Sequence, residues 1–399
     1  MKRLTAVVLT AIFLGPVLGA PPATRAASPP APDMTSPTQK LMSKLQWRMI
    51  GPFIGGRVVA VAGVPGEPNL FYMGGVQGGV WRSSNYGMTW DNITDGQAEM
   101  KNGYSIGALA VAAGNPKVIY AGTGESDPRG DFATGDGIYK TTDAGKTWHY
   151  AGLRDTHTTT ALAIDPRNSN VAYASSLGHM FAPNPERGVF KTTDGGATWS
   201  KVLFVDENTG ANDVVMDARN PDVLYAAMWQ ASRKPWNFTS GGPGSGLYKT
   251  SDGGAHWSKI SNNPGFATGM LGKIGVSVSA RDGRSVYAIV QAGNGGIFHS
   301  NDGGATWQHV NSEMKLRQRA FYYTAIYADP TDAKVAYAPQ VDGVFKTTDS
   351  GKTWKAITRP GDHHIVWINP RNPNILLEGD DGGAMVSVDG GKTWSSKQN

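Results

Sequence analysis

One eight-residue phrase, Ser/Thr-x-Asp-x-Gly-x-Thr-Trp with small local variations, is written seven times along this chain and constrains its fold more than any other feature. The copies are SSNYGMTW at 83–90, TTDAGKTW at 141–148, TTDGGATW at 192–199, TSDGGAHW at 250–257, SNDGGATW at 300–307, TTDSGKTW at 347–354 and SVDGGKTW at 387–394. Their tryptophans lie 58, 51, 58, 50, 47 and 40 residues apart, the period of a repeated supersecondary unit. Upstream of each box stand a β-branched or alternating run, a turn often containing Asn-Pro, and a second short run such as KVIYAG, NVAYAS or KVAYAP. A third run, such as GIYKTT or GVFKTT, ends in the box, and a fourth begins at its tryptophan. Four strands per unit and seven units predict an all-β, seven-bladed β-propeller of four-stranded antiparallel blades.

Composition agrees. Glycine is abundant at 52 residues, charged residues are only 17%, and the 40% hydrophobic content is ample for a core. The absence of cysteine excludes disulfide staples, thiolate metal sites and cysteine nucleophiles. The net charge of +5 falls to +2 once Lys2, Arg3 and Arg25 of the leader are set aside, and no basic run follows. No nucleic-acid partner is expected.

Met1 to Ala20 has two cations, a short apolar stretch and a small-residue exit, the layout of a secretory signal with cleavage between 20 and 27. Residues 21–40 are rich in proline and alanine and read as a flexible leader, leaving 41–399 as the propeller. The expected location is secreted or periplasmic, with no membrane insertion once the signal is removed. Leu45–Ile50 resembles a fourth strand and is expected to latch the last blade.

The box has a mechanical reading. Its carboxylate can collect hydrogen bonds across the turn, its glycine permits a positive φ, and its tryptophan packs between sheets. Asp143, Asp194, Asp252, Asp302, Asp349 and Asp389 are therefore assigned to structure, and Asn85 can make the same turn.

The box is that of the Asp-box, or BNR-repeat, family, and residues 47–399 resemble it throughout. That family includes sialidases, sortilin-type receptors, photosystem II assembly factors and xyloglucan-active glycoside hydrolases. Segments such as LQWRMIGPFIGGR and GDHHIVWINPRNPNILLEGDDGGAMVSVDGGKTW look more specifically like exported bacterial BNR glycosyl hydrolases or sortilin-like proteins. Those relatives usually continue into a second propeller, so the resemblance implies either a one-propeller version or a longer protein whose second propeller is absent from this chain. In the xyloglucan-active family one acid lies in Tyr-x-x-x-Asp-x-Gly-Gly; here Val76 occupies that slot in Tyr72–Gly79. The other lies in Gly-Asp-x-Gly-Gly, a shape kept by Gly379-Asp380-Asp381-Gly382-Gly383.

Function is expected on the face built by loops between second and third strands and loops leading into first strands. Three long insertions, at 122–137, 175–188 and 228–246, should form one wall there. Glycoside hydrolysis needs two carboxyl groups, and the candidates are Asp380, Asp381, Glu125 and Asp127. Candidate ligand contacts are Arg57, His157, His179, Arg187, Trp229, Trp236, Tyr322, His363 and His364, with Lys273 and Arg319 on loops of the same face. Aromatics beside hydrogen-bonding groups suit sugar rings. No ligand spacing for a metal is recognised, and no cofactor is expected. Two readings follow: a propeller that binds or cleaves a polysaccharide, and a non-catalytic propeller that captures a peptide or protein.

Overall fold

A computed structural model describes residues 55–100, 104–130 and 132–397. They lie in one compact unit, Gly51–Asn399. Seven antiparallel sheets follow one another along the chain, each ordered by sequence, with one extra strand in the fourth, Asn237–Ser240, paired off the main path. Their innermost strands are Val58–Val64, Ile106–Val111, Thr159–Ile164, Thr209–Met216, Leu271–Val278, Tyr327–Ala328 and His363–Ile368, opening blades 1 to 7. This is the seven-bladed β-propeller expected from the repeat. Among the described residues helix is confined to the single turn Ala320–Tyr323 and three 3-10 turns.

Each box closes as its residue types require. In blade 2, Thr141 Oγ1 donates to Asp143 Oδ1 at 2.7 Å, and the Thr147 backbone N–H donates to the same oxygen at 2.9 Å. Thr147 Oγ1 donates to Oδ2 at 2.7 Å, and Gly145 N–H donates to Thr141 Oγ1 at 3.0 Å. Asn85 repeats the pattern with Ser83 and Thr89, as expected. Two consecutive residues adopt positive φ in every box, such as Gly303 (71°) and Gly304 (89°), which explains the Gly-Gly pairs. Trp90, Trp148, Trp307 and Trp354 are buried between sheets. Each contributes roughly 4–6 kcal/mol of gross transfer free energy, at about 25 cal/mol/Å² over 150–250 Å².

A second repeated device joins the blades. Tyr173 Oη of blade 3 donates to Gly253 O in the box of blade 4 at 2.8 Å, and Lys191 Nζ donates to the same carbonyl at 2.7 Å. Tyr225 and Lys249 of blade 4 grip Gly303 O of blade 5 in the same way. The lysine also lies over the tyrosine ring, 5.3 Å in blade 3 and 5.4 Å in blade 4. The recurring Tyr-Ala and Lys-Thr of the second and third strands are thus a clamp on the following box.

The ring closes between blades 7 and 1. Val58, Val61, Phe71 and Met73 share a core with Ile375, Leu377, Ala384 and Val386. Gly63 lies flat on Trp367, where an added Cβ would stand 2.4 Å from the indole. Blade 7 shows three strands, His363–Ile368, Leu376–Asp380 and Gly383–Ser387. Ser395 N–H donates to Val386 O at 2.8 Å, so the chain after Trp394 runs along the third strand as a fourth strand would. The expected latch at Leu45–Ile50, the signal and the leader lie outside the described residues.

The insertions do form one wall, but the third is more ordered than a loop. The second strand of blade 4 runs on as Leu224–Lys234 and pairs with Asn237–Ser240 in a β-ribbon. Phe132, Leu177, Met180, Trp229 and Ala231 form a buried cluster drawn from all three insertions, joined by Phe238 and by Phe321 of blade 6.

Candidate functional site

The loop face centres on an ion-pair network contributed by four blades. Arg57, just before the first strand of blade 1, places Nη2 2.8 Å from Glu125 Oε1. Arg129 Nε lies 2.8 Å from the same oxygen, and Ala133 N–H donates to Oε2 at 3.2 Å. Glu125 is fully buried between these two guanidiniums. Two residues on, Asp127 Oδ1 lies 3.2 Å from Lys273 Nζ of blade 5. Asp127 Oδ2 lies 3.5 Å from His364 Nδ1 of blade 7. His364 Nε2 lies 2.8 Å from Asp381 Oδ1, and Arg57 Nε approaches that oxygen at 3.7 Å.

Aromatic rings floor this network. Tyr322 receives Arg57 and Arg319 over its ring, each 4.9 Å from the centroid. His364 stacks on Tyr323 at 5.6 Å and meets Tyr322 edge-on at 5.4 Å. Lys273 Nζ donates to Tyr322 O at 3.0 Å and lies 5.6 Å from the Trp229 ring centroid. The His364 hydrogen bond, with the nearby Arg57 charge, holds the Asp381 carboxyl below the usual range despite partial burial. Asp381 is half exposed, which makes it the carboxylate of this network most open to a ligand. In a ring of seven, blades 2 and 5 face each other across the axis. The Asp127–Lys273 pair therefore spans the channel mouth.

Just below, Asp213 on the innermost strand of blade 4 accepts Val276 N–H of blade 5 at 3.3 Å. Water reaches part of this side chain, but protein packs around it closely enough that desolvation pushes its pKa up to about 6.

Asp380 belongs elsewhere. Its neighbours are His363, Glu378 and Lys397, not Glu125 or Asp127, so the expected pairing of Asp380 with a blade 2 carboxylate is not brought together. His363 pairs with Asp380 across the sheet, and the register shifts between His363 and Ile365. Consecutive histidines consequently serve different clusters: His363 faces Glu378, and His364 faces the mouth.

Two expected ligand contacts are packing residues. Arg187 is 1% exposed, and its guanidinium donates to the carbonyls of Asn208, Ala231, His179 and Ala182. Burial pushes its pKa down to about 10. It staples the insertions together. Trp229 is wholly buried in the wall, edge-on to Phe238 at 5.9 Å. His157 and His179 stack at 3.8 Å, with His179 Nε2 3.0 Å from Asp155 O, and among the described residues they join none of the ion pairs above. Trp236, at the ribbon tip, is 82% exposed, the only exposed tryptophan among the described residues. Asp213 and Glu378 were not among the sequence candidates, and Lys273 was placed on the loop face without a role in the carboxylate site. Glu378 did carry a signal, because it occupies a slot filled by Ala121, Ala174, Ala226, Ala288 and Ala338 in other blades.

The fold and its repeated turns define a BNR-type, Asp-box β-propeller. The family model for Sortilin-Vps10, described as sortilin, neurotensin receptor 3, matches residues 78–203 and, overlapping, 136–266. A xyloglucanase of Hypocrea jecorina is 24% identical over 363 residues, 86% of this chain and 38% of that protein. The photosystem II assembly lipoprotein Ycf48 of a Picosynechococcus species is 24% identical over 270 residues, 58% of this chain and 75% of that protein. Among solved structures, an ancestral GH74 enzyme superposes with a TM-score of 0.64 at 18% identity, covering 88% of this chain and 47% of its own. YCF48 bound to D1 peptide gives 0.55 at 13% identity, covering 86% and 97%. The chain thus spans less than half the length of the curated xyloglucanases it matches and nearly all of the YCF48 chain. Its homology reaches both glycan-acting propellers and an assembly-factor propeller.

Proposed function

We propose that this protein is an exported propeller that binds a polysaccharide across its loop face, with the mouth carboxylates serving recognition rather than cleavage. The observation that carries the reading is Trp236, an exposed indole on a rigid β-ribbon whose base is stapled into the wall. An indole face matches the apolar face of a pyranose, and nearby hydrogen-bonding groups match its edge. The recognition role rests on charge balance. Glu125 lies between two arginines, Asp127 between Lys273 and His364, and Asp381 between His364 and Arg57. Asp381, held below the usual carboxylate range by His364 and Arg57, is a poor general acid, and hydrolysis requires one. The xyloglucanase homology supports the glycan class.

A second reading, capture of a peptide, draws on the coverage of a single-propeller structure that holds one. The deciding experiment is affinity electrophoresis and calorimetry of the purified protein on a panel of soluble polysaccharides including xyloglucan, beside reducing-sugar release. Retention without sugar release, weakened about tenfold or more by Trp236→Ala, is expected. Sugar release abolished by Asp381→Asn would make the protein a hydrolase. Absence of binding to every glycan would sink the reading and leave peptide capture.

A further inference from the structure

Blade 7 departs from the other six at the central cross-strand pair of its second and third strands, beside a second change in which Leu377 faces Val386 where the others pair a tyrosine with a basic residue. The central slot of the second strand holds Met73, Ala121, Ala174, Ala226, Ala288 and Ala338 in blades 1 to 6. It faces an aromatic of the third strand each time: Trp81, Tyr139, Phe190, Tyr248, Phe298 and Phe345. In blade 7 the slot holds Glu378, and its partner is Met385. A small apolar residue under a ring has become a fully buried carboxylate under a flexible thioether. Burying that charge is costly unless something compensates it.

Compensation within the described residues is incomplete. Glu378 Oε2 lies 2.9 Å from His363 Nδ1, while Glu378 Oε1 is buried with no hydrogen-bond partner among them. His363 Nε2 lies 3.0 Å from the Arg359 carbonyl oxygen, which can only accept. Nε2 also lies 3.1 Å from Thr358 Oγ1; in the tautomer that gives its Nε2 hydrogen to the carbonyl, the Nδ1 lone pair points at a carboxylate oxygen. A cation seated beside Nδ1 would also give Glu378 the partner that its Oε1 lacks. Asp380 adds a second carboxylate, its Oδ2 4.0 Å from His363 Nδ1, and all three ligand atoms lie within 4.8 Å of one another. Neighbouring ligands about 2.1 Å from one metal ion stand roughly 3.0–3.4 Å apart, so small side-chain adjustments suffice. The imidazole N–H held by a backbone carbonyl is the usual outer support of a metal-bound histidine.

We infer that His363, Glu378 and Asp380 form a binding site for a first-row divalent cation of the zinc or manganese class. One imidazole nitrogen with two carboxylates selects such an ion over calcium, which takes oxygen ligands. The site adjoins a pocket of about 620 Å³ lined by Thr358, Arg359, His363, Met385, Trp394 and Lys397, which supplies an access path. Lys397 Nζ contacts Asp380 and is one-third exposed, so it is the cation an incoming metal displaces. This site is separate from the mouth network and does not depend on the glycan reading.

The test begins with protein stripped by chelator and titrated calorimetrically with ZnCl2, MnCl2 and CaCl2, with melting temperature followed in parallel. One equivalent of zinc or manganese should bind and raise the melting temperature, with calcium much weaker. Glu378→Gln should weaken binding by about a hundredfold. Lys397→Ala, remote from the core, should tighten it by about tenfold through loss of a competing charge. Cobalt added to the wild-type protein should give visible d–d bands, a readout that survives a folding defect in any variant. No stoichiometric binding and no cobalt bands, or binding unchanged in both Glu378→Gln and Lys397→Ala, would overturn the site.

Discussion

Asp213 shows what enclosure does to a single charge. Its carboxyl titrates near 6 in the folded protein against an ordinary value of 3.8, because desolvation penalises the anion. The penalty is absent below pH 3.8 and grows as the pH rises through about 6. Asp213→Asn should therefore raise stability by on the order of 1–3 kcal/mol above pH 7 and leave it unchanged near pH 4, as read by urea denaturation at both pH values. Arg187 is the opposite case, a buried cation fully committed to backbone carbonyls. Arg187→Met should cost about 3 kcal/mol or more, since those carbonyls lose their donors while staying buried. A change below 1 kcal/mol would remove the staple. Neither role was legible from residue type, because a cation or an indole in an insertion looks alike whether it faces solvent or packs inward. Arg187 and Trp229 became packing residues only because the 228–246 insertion folds as a ribbon onto its neighbours. Glu378 was legible in principle, by comparing equivalent slots across the repeats.

The box turns are where the sequence says most, because their chemistry is local and repeated. Gly304 sits at φ +89°, and a Cβ there would meet Ile260 Cδ1 at 2.7 Å. Gly304→Ala should cost about 1–3 kcal/mol. Ala144 already pays for a positive φ of 61°, and Ala144→Gly should stay within about 1 kcal/mol of neutral. Equal thermal shifts for the two would contradict the turn geometry. The box aspartates predict an acid limb. Hydrogen bonds from Thr147, Thr198, Thr306 and Thr393 hold Asp143, Asp194, Asp302 and Asp389 near 2 in the folded protein. Their stabilisation is present above about 4 and is lost as the pH falls toward 2. Melting temperatures between pH 5 and 2 should fall steeply, and Asp302→Asn should flatten part of that fall while keeping the turn, as Asn85 does in blade 1. The blade clamps are equally local in kind, yet their target is a carbonyl on the next repeat, which a scan for spacing alone does not reveal.

Contacts across the whole ring follow no local rule. Lys273 and Asp127 are 146 residues apart and meet only because seven blades close on themselves. Lys273→Met should destabilise by about 2–4 kcal/mol, because among the described residues Asp127 then keeps only His364 as an ion-pair partner. In a cycle with Asp127→Asn, the coupling should be about 1–3 kcal/mol by urea denaturation. A coupling near zero would mean that the pair does not brace the ring. Blade number and topology could be read from the repeat, whereas the residues that meet at the axis could not, since that depends on which loops reach inward and how far. The bracing pair also has a kinetic consequence. An ion pair laid across one end of a tube makes the tube a cul-de-sac, so solvent inside must refresh mainly from the box end. Amides lining the bore next to Asp213 should then trade protons slowly in the native protein and quicken when Lys273 is replaced, as a cork's removal drains a bottle from both ends.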